Sequence, residues 1–403
     1  MSHERFNIPQ IAIPIEIASE PYYVDPMASL VGLSLLSETG YLCFEKSQSP
    51  ITSNNEFYEG LFERVSEQSG RSVIELPECK DIIFDQFGNP TTDTDYKGIG
   101  TNNPDEFLNL LDIPGNPKPE ILGLVSGRWL LRSIHASETI RSFVIPTEWI
   151  VWAVELKEVI NKSGKKVDIY DWKRSLRGMI TKLGDEKYYI VKRRLPMARR
   201  ILSLSTSDSG KLNDSLNLAI NTINRITTLK NGGDIYSELR STELFDPSNS
   251  EDKKRYLNNW LPLHMGYAIG RLHSEGATHG YLPQNYTTLG CFVDLDSVTG
   301  LPFGEPSPKH SDFLHDIGST ITTIFQAKYS MLAQSLMEDY AQVAAMQREG
   351  TLNFLAAYYR ALFNGSLPIE AGRINHEIVR LASISSLVRS VSTKDVMARA
   401  EII

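Results

Sequence analysis

The chain has 403 residues, 41% of them hydrophobic and 22% charged, which is the composition of an ordinary globular protein with one large two-lobed domain or a few small ones. Its formal net charge of −8 argues against a nucleic-acid-binding protein, because neutralising phosphates requires a surface rich in Lys and Arg.

The cysteines and the N-terminus bear on the cellular compartment. Cys43, Cys79 and Cys291 lie far apart, so they predict neither a zinc site nor a disulfide framework. The chain does not begin with a basic segment and an apolar core, and no apolar run reaches the ~18 residues of a membrane span. We therefore expect a cytoplasmic protein without a membrane partner. A secreted effector exported without a cleaved signal would have the same features.

Residues 1–68 are expected to form an N-terminal extension, to which we assign no chemistry. At its end, residues 55–70 (NEFYEGLFERVSEQSG) have apolar side chains at helical spacing and reach Gly70, just beyond the extension. This pattern predicts an amphipathic helix.

From residue 69 the pattern changes to short runs typical of strands, with a turn signal at residues 87–90 (FGNP). One run ends at Lys97, which Gly98 and Gly100 follow. A lysine at a strand end beside glycines is a candidate phosphate-binding residue. The alternative is an exposed edge-strand lysine, which discourages pairing between sheet edges.

Residues 126–149 predict a strand, a helix around residues 137–143 and a second strand after Pro146. Glu138 lies in that helix, and in kinase-like folds a helix glutamate positions the phosphate-binding lysine. The alternative is an exposed first-turn acid, which the helix dipole favours.

The most basic part of the chain follows, around Pro196. It contains Arg193 and Arg200, whose planar guanidinium groups suit phosphate, and neighbouring cations at 192, 194 and 199. We expect local anion binding here. A solvated helix start is the alternative interpretation.

Residues 205–214 (STSDSGKLND) predict a boundary between two lobes, and beyond them the chain is mostly helical. Apolar residues at helical spacing fill residues 216–229 and 255–276. The glycines of GYAIG at 266–270 predict helix packing and not a dinucleotide-binding loop, because no strand precedes them.

The richest stretch for function is residues 279–296. His279 and Gly280 open a short loop, Asn285 follows, and an apolar run of strand length ends at Asp294. Carboxylate and amide oxygens are ligands that Mg²⁺ accepts in nucleotide-using enzymes, where substrate phosphates complete the coordination shell. A surface hairpin with Asn and Asp as turn residues is the alternative.

Taken in order, these segments resemble the selenoprotein-O family of kinase-fold enzymes, which transfer AMP to protein hydroxyls. The resemblance covers roughly residues 69–320. The segments that carry it are Lys97 to Thr101 (KGIGT), Ser126 to Ile134 (SGRWLLRSI), Ser137 to Thr139 (SET), Ile145 to Thr147 (IPT), the arginines 193 and 200 about Pro196, residues 279–285 with 293–294, and His310 to Asp312 (HSD).

The resemblance implies an α+β, two-lobed, protein-kinase-like fold with a small β-rich N-lobe at 69–204 and a larger, mostly helical C-lobe at 205–403, which carries the catalytic and metal loop at 279–296. It implies ATP and Mg²⁺ (or Mn²⁺) as cofactors. The implied roles are ATP phosphate binding for Lys97, positioning of that lysine for Glu138, binding of the terminal phosphates for Arg193 and Arg200, and Mg²⁺ coordination for Asn285 and Asp294.

Three departures from the family pattern bear on activity. Gln284 stands where the family has an acidic residue that acts as general base, and the loop is one residue shorter. Asp296 lies nearby and is a candidate substitute base. The segment before Ser137 is also shorter by roughly one helical turn, which weakens the expected contact between Glu138 and Lys97. The final glycine of the family's IDYG segment is also replaced, since the chain continues from Asp294 as Leu-Asp-Ser297.

Three functions are consistent with the sequence. The first is transfer of AMP from ATP to a hydroxyl of a protein or small molecule, and the second is ordinary phosphoryl transfer on the same fold. The third is a catalytically impaired pseudokinase, which acts as a nucleotide-binding or interaction module. Gln284 is the feature that favours the third.

Overall fold

The computed structural model describes residues 12–15, 23–25, 40–43, 62–64, 72–75, 82–98, 125–155, 158–160, 166–168, 171, 187–204, 207–230, 234–236, 239, 244–300, 308–336, 339–363 and 391–403. The strands in these residues are β1 (Ala12–Ile15), β2 (Tyr23–Val24), β3 (Gly40–Cys43), β4 (Phe62–Arg64), β5 (Ser72–Glu75), β6 (Ile83–Phe84), β7 (Pro90–Thr91), β8 (Asp93–Lys97), β9 (Val125–Ser126), β10 (Trp149–Glu155), β11 (Glu158–Ile160), β12 (Lys166–Asp168), β13 (Tyr188–Leu195), β14 (Ala277–Thr278) and β15 (Thr299–Gly300).

Helices dominate the later part of the described chain. The α-helices are α1 (Gly127–Ser142), α2 (Ser209–Leu229), α3 (Ser250–Arg255), α4 (Leu261–Ser274), α5 (Leu282–Asn285), α6 (His310–Thr320), α7 (Tyr329–Leu336), α8 (Tyr340–Leu362) and α9 (Thr393–Ile402). Two π-helical segments, Tyr256–Trp260 and Ile321–Lys328, continue directly into α4 and α7.

The chain folds into two compact units. The first consists of Met1–Ile83, Thr92–Ile134 and Trp149–Ala198, and the second consists of Phe84–Thr91, His135–Glu148 and Arg199–Ile403. The division between Ala198 and Arg199 lies close to the predicted lobe boundary. The second unit, however, also takes in two segments that precede that boundary, and one of them carries Glu138.

The first unit contains a seven-stranded sheet with the order β2-β10-β13-β8-β5-β4, in which β9 also pairs with β13. Every pairing in it is antiparallel. A second sheet of the same unit has the order β12-β11-β1-β3. Strand β8, which ends at Lys97, lies between β13 and β5, so the edge-strand interpretation of that lysine is wrong.

The basic run at 192–194 lies in β13, which is buried along its whole length, so the interpretation as a solvated helix start is also wrong. Each cation has a partner on the neighbouring strand β8. Arg193 pairs with Asp95, Arg194 donates from Nη1 to Thr94 Oγ1 at 2.9 Å, and the Lys192 ammonium lies 5.6 Å from the centre of the Tyr96 ring. A buried charged side chain requires such a partner, because its transfer out of water costs free energy that the partner must offset.

Helix α1 begins earlier than the sequence pattern predicted. The segment SGRWLLRSI was expected to form a strand, but all of it after Ser126 is helical. The physical reason is the spacing of its buried residues, since Leu130, Ser133, Ala136 and Ile140 recur at three and four residues on one face. Leu130 and the partly buried Ile134 pack against Ile150 and Val191 of the sheet.

The predicted helix at 55–70 is wrong where the structure describes it. Phe62–Arg64 is a strand, antiparallel to β5. The pairing partner lies outside the 55–70 window, so local apolar spacing could not reveal it. The strand predicted after Pro146 is confirmed as β10, and the helices predicted at 216–229 and 255–276 are confirmed, the second with its π-helical segment.

The core of the second unit is the contact between α4 and α8. A Cβ added at Gly266 would lie 2.1 Å from the Phe354 carbonyl oxygen, and one added at Gly270 would lie 2.4 Å from that of Tyr358. Only glycine lets the two backbones approach so closely. The interpretation of GYAIG as a helix-packing feature is therefore confirmed.

These elements form an α+β protein with small sheets and many helices. None of the described helices combines the length and apolar character needed to cross a membrane.

Candidate functional site

The loop that opens at His279 is held by one buried carboxylate. Asp316, in α6, accepts the backbone N–H of His279 at 2.7 Å through Oδ2 and that of Gly280 at 2.8 Å through Oδ1. The His279 ring, which is fully buried, contacts the Val293 carbonyl oxygen through Nε2 at 3.0 Å. The start and the end of the loop are therefore tied to each other and to α6.

Asp316 is kept ionised by its surroundings. Burial alone would raise the pKa of this carboxyl, but the hydrogen bond and charge of His273, the charge of His279 and the His279 backbone N–H together lower the pKa below its ordinary value. His273 Nε2 lies 3.3 Å from Asp316 Oδ2, and His273 Nδ1 lies 3.1 Å from the Tyr358 hydroxyl. The anchor of the loop is thus part of a buried polar network that reaches α8.

Asn285, at the end of the short helix α5, is buried and fixed in one orientation. Its Nδ2 donates to the Tyr281 carbonyl at 3.1 Å, and its Oδ1 accepts from Arg200 Nη1 at 2.6 Å. A carbonyl can only accept and a guanidinium can only donate, so these two contacts determine which end of the amide is oxygen. The structure therefore brings together two of the predicted site residues, Arg200 and Asn285.

The backbone positions Arg200 for this contact. Arg200 and Thr287 form an antiparallel bridge. On either side of it, the Ile201 N–H donates to the Tyr286 carbonyl at 2.9 Å and the Thr288 N–H donates to the Arg199 carbonyl at 2.9 Å. The segment that carries Arg200 is thus paired with the segment directly after Asn285.

The guanidinium of Arg200 is only half-buried. Its Nη1 also donates to the Gln284 carbonyl at 3.2 Å, and within the described part of the chain Nε and Nη2 have no hydrogen-bond partner. One edge of the fork holds the loop, and the other edge is available to an anion.

Asp294 has a strained backbone. Its φ of 68° and ψ of 63° lie in the left-handed region, which Asp tolerates better than most residues. The buried carboxylate of Glu148 holds this conformation, since it accepts the N–H of Asp294 at 3.0 Å and that of Leu295 at 3.4 Å. Strained residues that the surroundings fix in this way are concentrated at functional sites.

A segment after α1 holds the same loop from another side. The Thr147 hydroxyl donates to the Phe292 carbonyl at 2.6 Å, and the Ser137 hydroxyl donates to the Glu148 carbonyl at 2.6 Å. The Ile-Pro-Thr segment, which only the resemblance singled out in the sequence, therefore lies close to Asp294. Thr147, its last residue, contacts Phe292, and the next residue, Glu148, binds the Asp294 N–H.

Sequence reasoning missed Glu148 and Asp316. The available signal for Asp316 was an acid on the apolar face of a helix, because Ile317 and Thr320 beside it are also buried. The resemblance pointed instead to the HSD segment, whose Asp312 is exposed in the first turn of α6 and accepts the Lys309 N–H. Glu148 had no comparable signal, since it directly precedes a buried strand.

Gln284 is exposed, whereas the side chain of Asp296 lies outside the described residues. The backbone of Asp296 belongs to the 3₁₀ helix Leu295–Ser297. The expectation that Asp296 substitutes for the missing base therefore stays a prediction.

The other predicted site residues are distributed over both units. Lys97, in the first unit, is half-buried, and a Cβ on the following Gly98 (φ +91°) would lie 2.1 Å from the Tyr189 carbonyl oxygen. Gly98, which follows Lys97 in the sequence pattern, is therefore required because the neighbouring strand leaves no room for a side chain. Gly100 and Thr101 lie outside the described residues. Glu138, in the second unit, is exposed on α1 and has no hydrogen-bond or ion-pair partner among the described residues.

Arg193 has a partner that the sequence did not suggest. Its Nε and Nη2 bind the two carboxylate oxygens of Asp95, at 2.8 and 2.5 Å, and both side chains are almost completely buried. This bidentate ion pair occupies the Nε and Nη2 edge of the guanidinium. The geometry gives Arg193 a role in strand pairing, in contrast with the expected phosphate contact.

Asn285 and Asp294 carry oxygen atoms of the kind that Mg²⁺ accepts. Both residues lie on one loop, which is closed by the hydrogen bond from the Val293 N–H to the Asn285 carbonyl at 3.1 Å. Mg²⁺ is commonly held by one or two protein oxygens together with substrate phosphates. The described residues do not form a metal site built from protein ligands alone, because no group of three or more His, Cys, Asp or Glu suited to a metal occurs among them.

Comparison with known proteins assigns no family. No protein-family model matches the chain, and no curated protein matches it significantly.

Proposed function

We propose that this chain is an ATP- and Mg²⁺-dependent nucleotidyltransferase of protein-kinase-like fold, which transfers AMP to a hydroxyl of a protein or small molecule. The observation that carries the proposal is the 2.6 Å contact between Arg200 and Asn285, which are 85 positions apart in the chain. Arg200, a residue type that commonly binds phosphate, therefore lies beside Asn285, a residue type whose side-chain oxygen can bind a metal ion. Asp294 lies on the same loop as Asn285.

The chemistry assigns a task to each of these residues. The unpartnered edge of Arg200 would bind a terminal phosphate through two parallel hydrogen bonds, and Asn285 and Asp294 would hold the cation. Lys97 is the predicted second phosphate contact. When bound, Mg²⁺ supplies charge neutralisation for the phosphates.

In the proposed transfer, the acceptor hydroxyl oxygen forms a bond to the α-phosphorus. The bond from that phosphorus to its bridging oxygen breaks, pyrophosphate leaves, and the hydroxyl proton passes to Asp296, the candidate base, or to water. Arg200 would stabilise the negative charge of the departing pyrophosphate. Transfer of this kind depends mostly on positioning and charge stabilisation, which the loop anchors Asp316 and Glu148 support.

A specific observation favours a second candidate, a nucleotide-binding module without catalysis. Gln284 is exposed at the position where the resemblance predicts a general base, and a neutral amide cannot take the proton of the acceptor. Loss of a general base typically lowers the rate by ~10²- to 10⁴-fold.

Labelled ATP distinguishes the candidates. The protein is incubated with Mg²⁺ and ATP labelled at the α- or the γ-phosphate, with protein and small-molecule hydroxyl acceptors. Incorporation of the α-label supports AMP transfer, and incorporation of the γ-label alone would establish phosphoryl transfer instead. Binding of ATP with neither label incorporated would favour the module.

The variant Gln284→Asp tests the missing base in the same assay. If proton removal limits the reaction, the variant should raise α-label incorporation by up to roughly 10²-fold. Gln284→Glu is the matched control, because it adds the same charge at a different reach. An increase that is equal in both variants would indicate a general charge effect.

A further inference from the structure

The oxygen that Asn285 would offer to a cation already has a cationic partner. Arg200 Nη1 lies 2.6 Å from Asn285 Oδ1, while Asn285 Nδ2 donates to the Tyr281 carbonyl. The amide has only this one oxygen, and its orientation is fixed. Guanidinium and metal ion would therefore have to use the same acceptor.

Arg200 cannot leave the loop by a simple backbone shift. The bridge to Thr287 and the hydrogen bond from the Ile201 N–H to the Tyr286 carbonyl attach its main chain to the segment that follows Asn285. The side chain, in contrast, is half-buried, and its Nε and Nη2 have no hydrogen-bond acceptor among the described residues. A rotation of the guanidinium is thus the motion by which Asn285 Oδ1 could be released.

We infer that this site takes a divalent cation only together with a polyphosphate, because Arg200 occupies Asn285 Oδ1 and excludes the free ion. The inference rests on the proposed function and defines its ligand as a metal–polyphosphate complex.

The exclusion has an electrostatic cause. A cation bound to Asn285 Oδ1 would lie within a few ångströms of the guanidinium, and like charges at that distance repel strongly in a partly buried site. A polyphosphate removes this obstacle because its oxygens are stronger acceptors for guanidinium than a neutral amide oxygen. Arg200 can then bind phosphate and leave the amide to the metal.

The experiment is a calorimetric titration of the full chain with Mn²⁺ alone and with a preformed complex of Mn²⁺ and a non-hydrolysable ATP analogue. The proteins are the wild type, Arg200→Gln, Arg200→Lys and the double variant Arg200→Gln/Asn285→Ala. Arg200→Lys is the matched control, because it keeps the positive charge. Thermal unfolding of each variant shows that it is folded.

The inference predicts that Arg200→Gln binds free Mn²⁺ roughly 10- to 100-fold more tightly than the wild type, the range of typical coupling between sites. The gain should disappear in the double variant and be absent in Arg200→Lys. It would be overturned if Arg200→Gln gained no Mn²⁺ affinity, or if the wild type bound free Mn²⁺ as tightly as Arg200→Gln does.

The wild type alone provides a second measurement. It should show no binding of free Mn²⁺ at concentrations where the preformed complex saturates the protein, and equal affinity for both would overturn the inference even if a variant failed to fold. Failure of the proposed function is distinguishable, because the wild type would then not bind the preformed complex, whatever Arg200→Gln does with free Mn²⁺.

Discussion

At the scale of single residues, the candidate site depends on a few side chains that the chain holds in unusual states. Asp294 has a left-handed backbone, Asn285 is buried in one orientation, and Arg200 contacts the loop through Nη1 alone among the described residues. Each was singled out in the sequence by residue type and order. The contact between Arg200 and Asn285 could not be read from order alone, because it depends on a backbone bridge between distant segments.

Asp294→Asn should weaken Mg²⁺-dependent nucleotide binding at least roughly 10-fold, since even outer partners of a metal site contribute that much affinity. Asparagine tolerates the left-handed conformation and removes only the charge. The measurement is calorimetric titration with an ATP analogue and Mg²⁺. Asp312→Asn, on exposed helix α6 surface, is the control, and unchanged affinity in Asp294→Asn would refute the metal assignment.

Val144→Gly should stabilise the protein by up to about 1 kcal/mol. Val144 has a φ of 60° just beyond α1, and its side chain is 46% exposed, so it loses little burial. A left-handed conformation costs an L-residue roughly 1–2 kcal/mol, and glycine avoids this at a smaller cost in chain entropy.

Urea unfolding measures this change. Val144→Ala is the control, because it keeps the Cβ and should recover only part of the gain. A lower stability in Val144→Gly than in the wild type would contradict the argument.

At the scale of elements, strands and helices supply the partners that single residues need. The basic run at 192–194 could be mistaken for a solvated surface, because its partners Thr94, Asp95 and Tyr96 lie about a hundred positions earlier. Only antiparallel pairing of β8 with β13 brings them opposite each other. A charge run in a sequence therefore does not reveal whether it faces water or a neighbouring strand.

Asp95→Asn should lower the free energy of unfolding by roughly 3–5 kcal/mol, because it leaves the buried Arg193 charge without its counter-ion. The double variant Asp95→Leu/Arg193→Met should recover most of this loss, since apolar replacements of a buried ion pair are often neutral. Urea unfolding of the two variants provides the comparison.

The same double variant tests the role of Arg193. If it keeps its nucleotide affinity, Arg193 acts in strand pairing. Loss of affinity in a folded double variant would restore the phosphate-binding role that the sequence suggested.

Asp316→Asn should destabilise the loop that α6 anchors, by about 2–4 kcal/mol, because an amide nitrogen would face a backbone N–H that needs an acceptor. The pKa of Asp316 is lower in the folded chain than in the unfolded chain. The stability from its ionised form is therefore present above the unfolded pKa of about 3.9 and lost as the pH falls through the folded value.

The measurement is urea unfolding at neutral pH and at successive pH values below about 4. The wild type should lose stability in that window, and Asp316→Asn should lose less, since it has no carboxyl to titrate. Asp214→Asn on α2 is the control, because Asp214 is exposed. An identical pH dependence in wild type and Asp316→Asn would contradict the assignment.

At the scale of the whole molecule, two units of different character divide the predicted site residues between them. Lys97 and Arg193 belong to the sheet-rich unit, and Glu138, Arg200, Asn285 and Asp294 belong to the helical unit. The second unit by itself contains the loop, its anchors Asp316 and Glu148, and the arginine that contacts it. The proposed function therefore depends on this unit.

A ligand that binds only the folded chain raises its free energy of unfolding, and the increase grows with the ligand concentration. The Mg²⁺ complex of an ATP analogue at 100 times its dissociation constant should add about 2.7 kcal/mol to the free energy of unfolding, which thermal unfolding detects as a rise of a few degrees. Mg²⁺ alone and the analogue with a chelator should each give a smaller shift. No shift with the complex would argue against both the transferase and the nucleotide-binding module.

Local patterns in the amino-acid sequence were enough to predict the α+β composition, the strand after Pro146 and the long helices, and they supplied the residue types of the candidate site. These depend on local spacing and side-chain chemistry, which a linear chain displays directly. The tertiary structure alone decided that Arg193 pairs with Asp95, that Phe62–Arg64 is a strand, and that Glu148 and Asp316 hold the loop around Asn285 and Asp294. Each of these depends on a partner distant in the chain, and the free energy of such pairing does not appear in any local pattern.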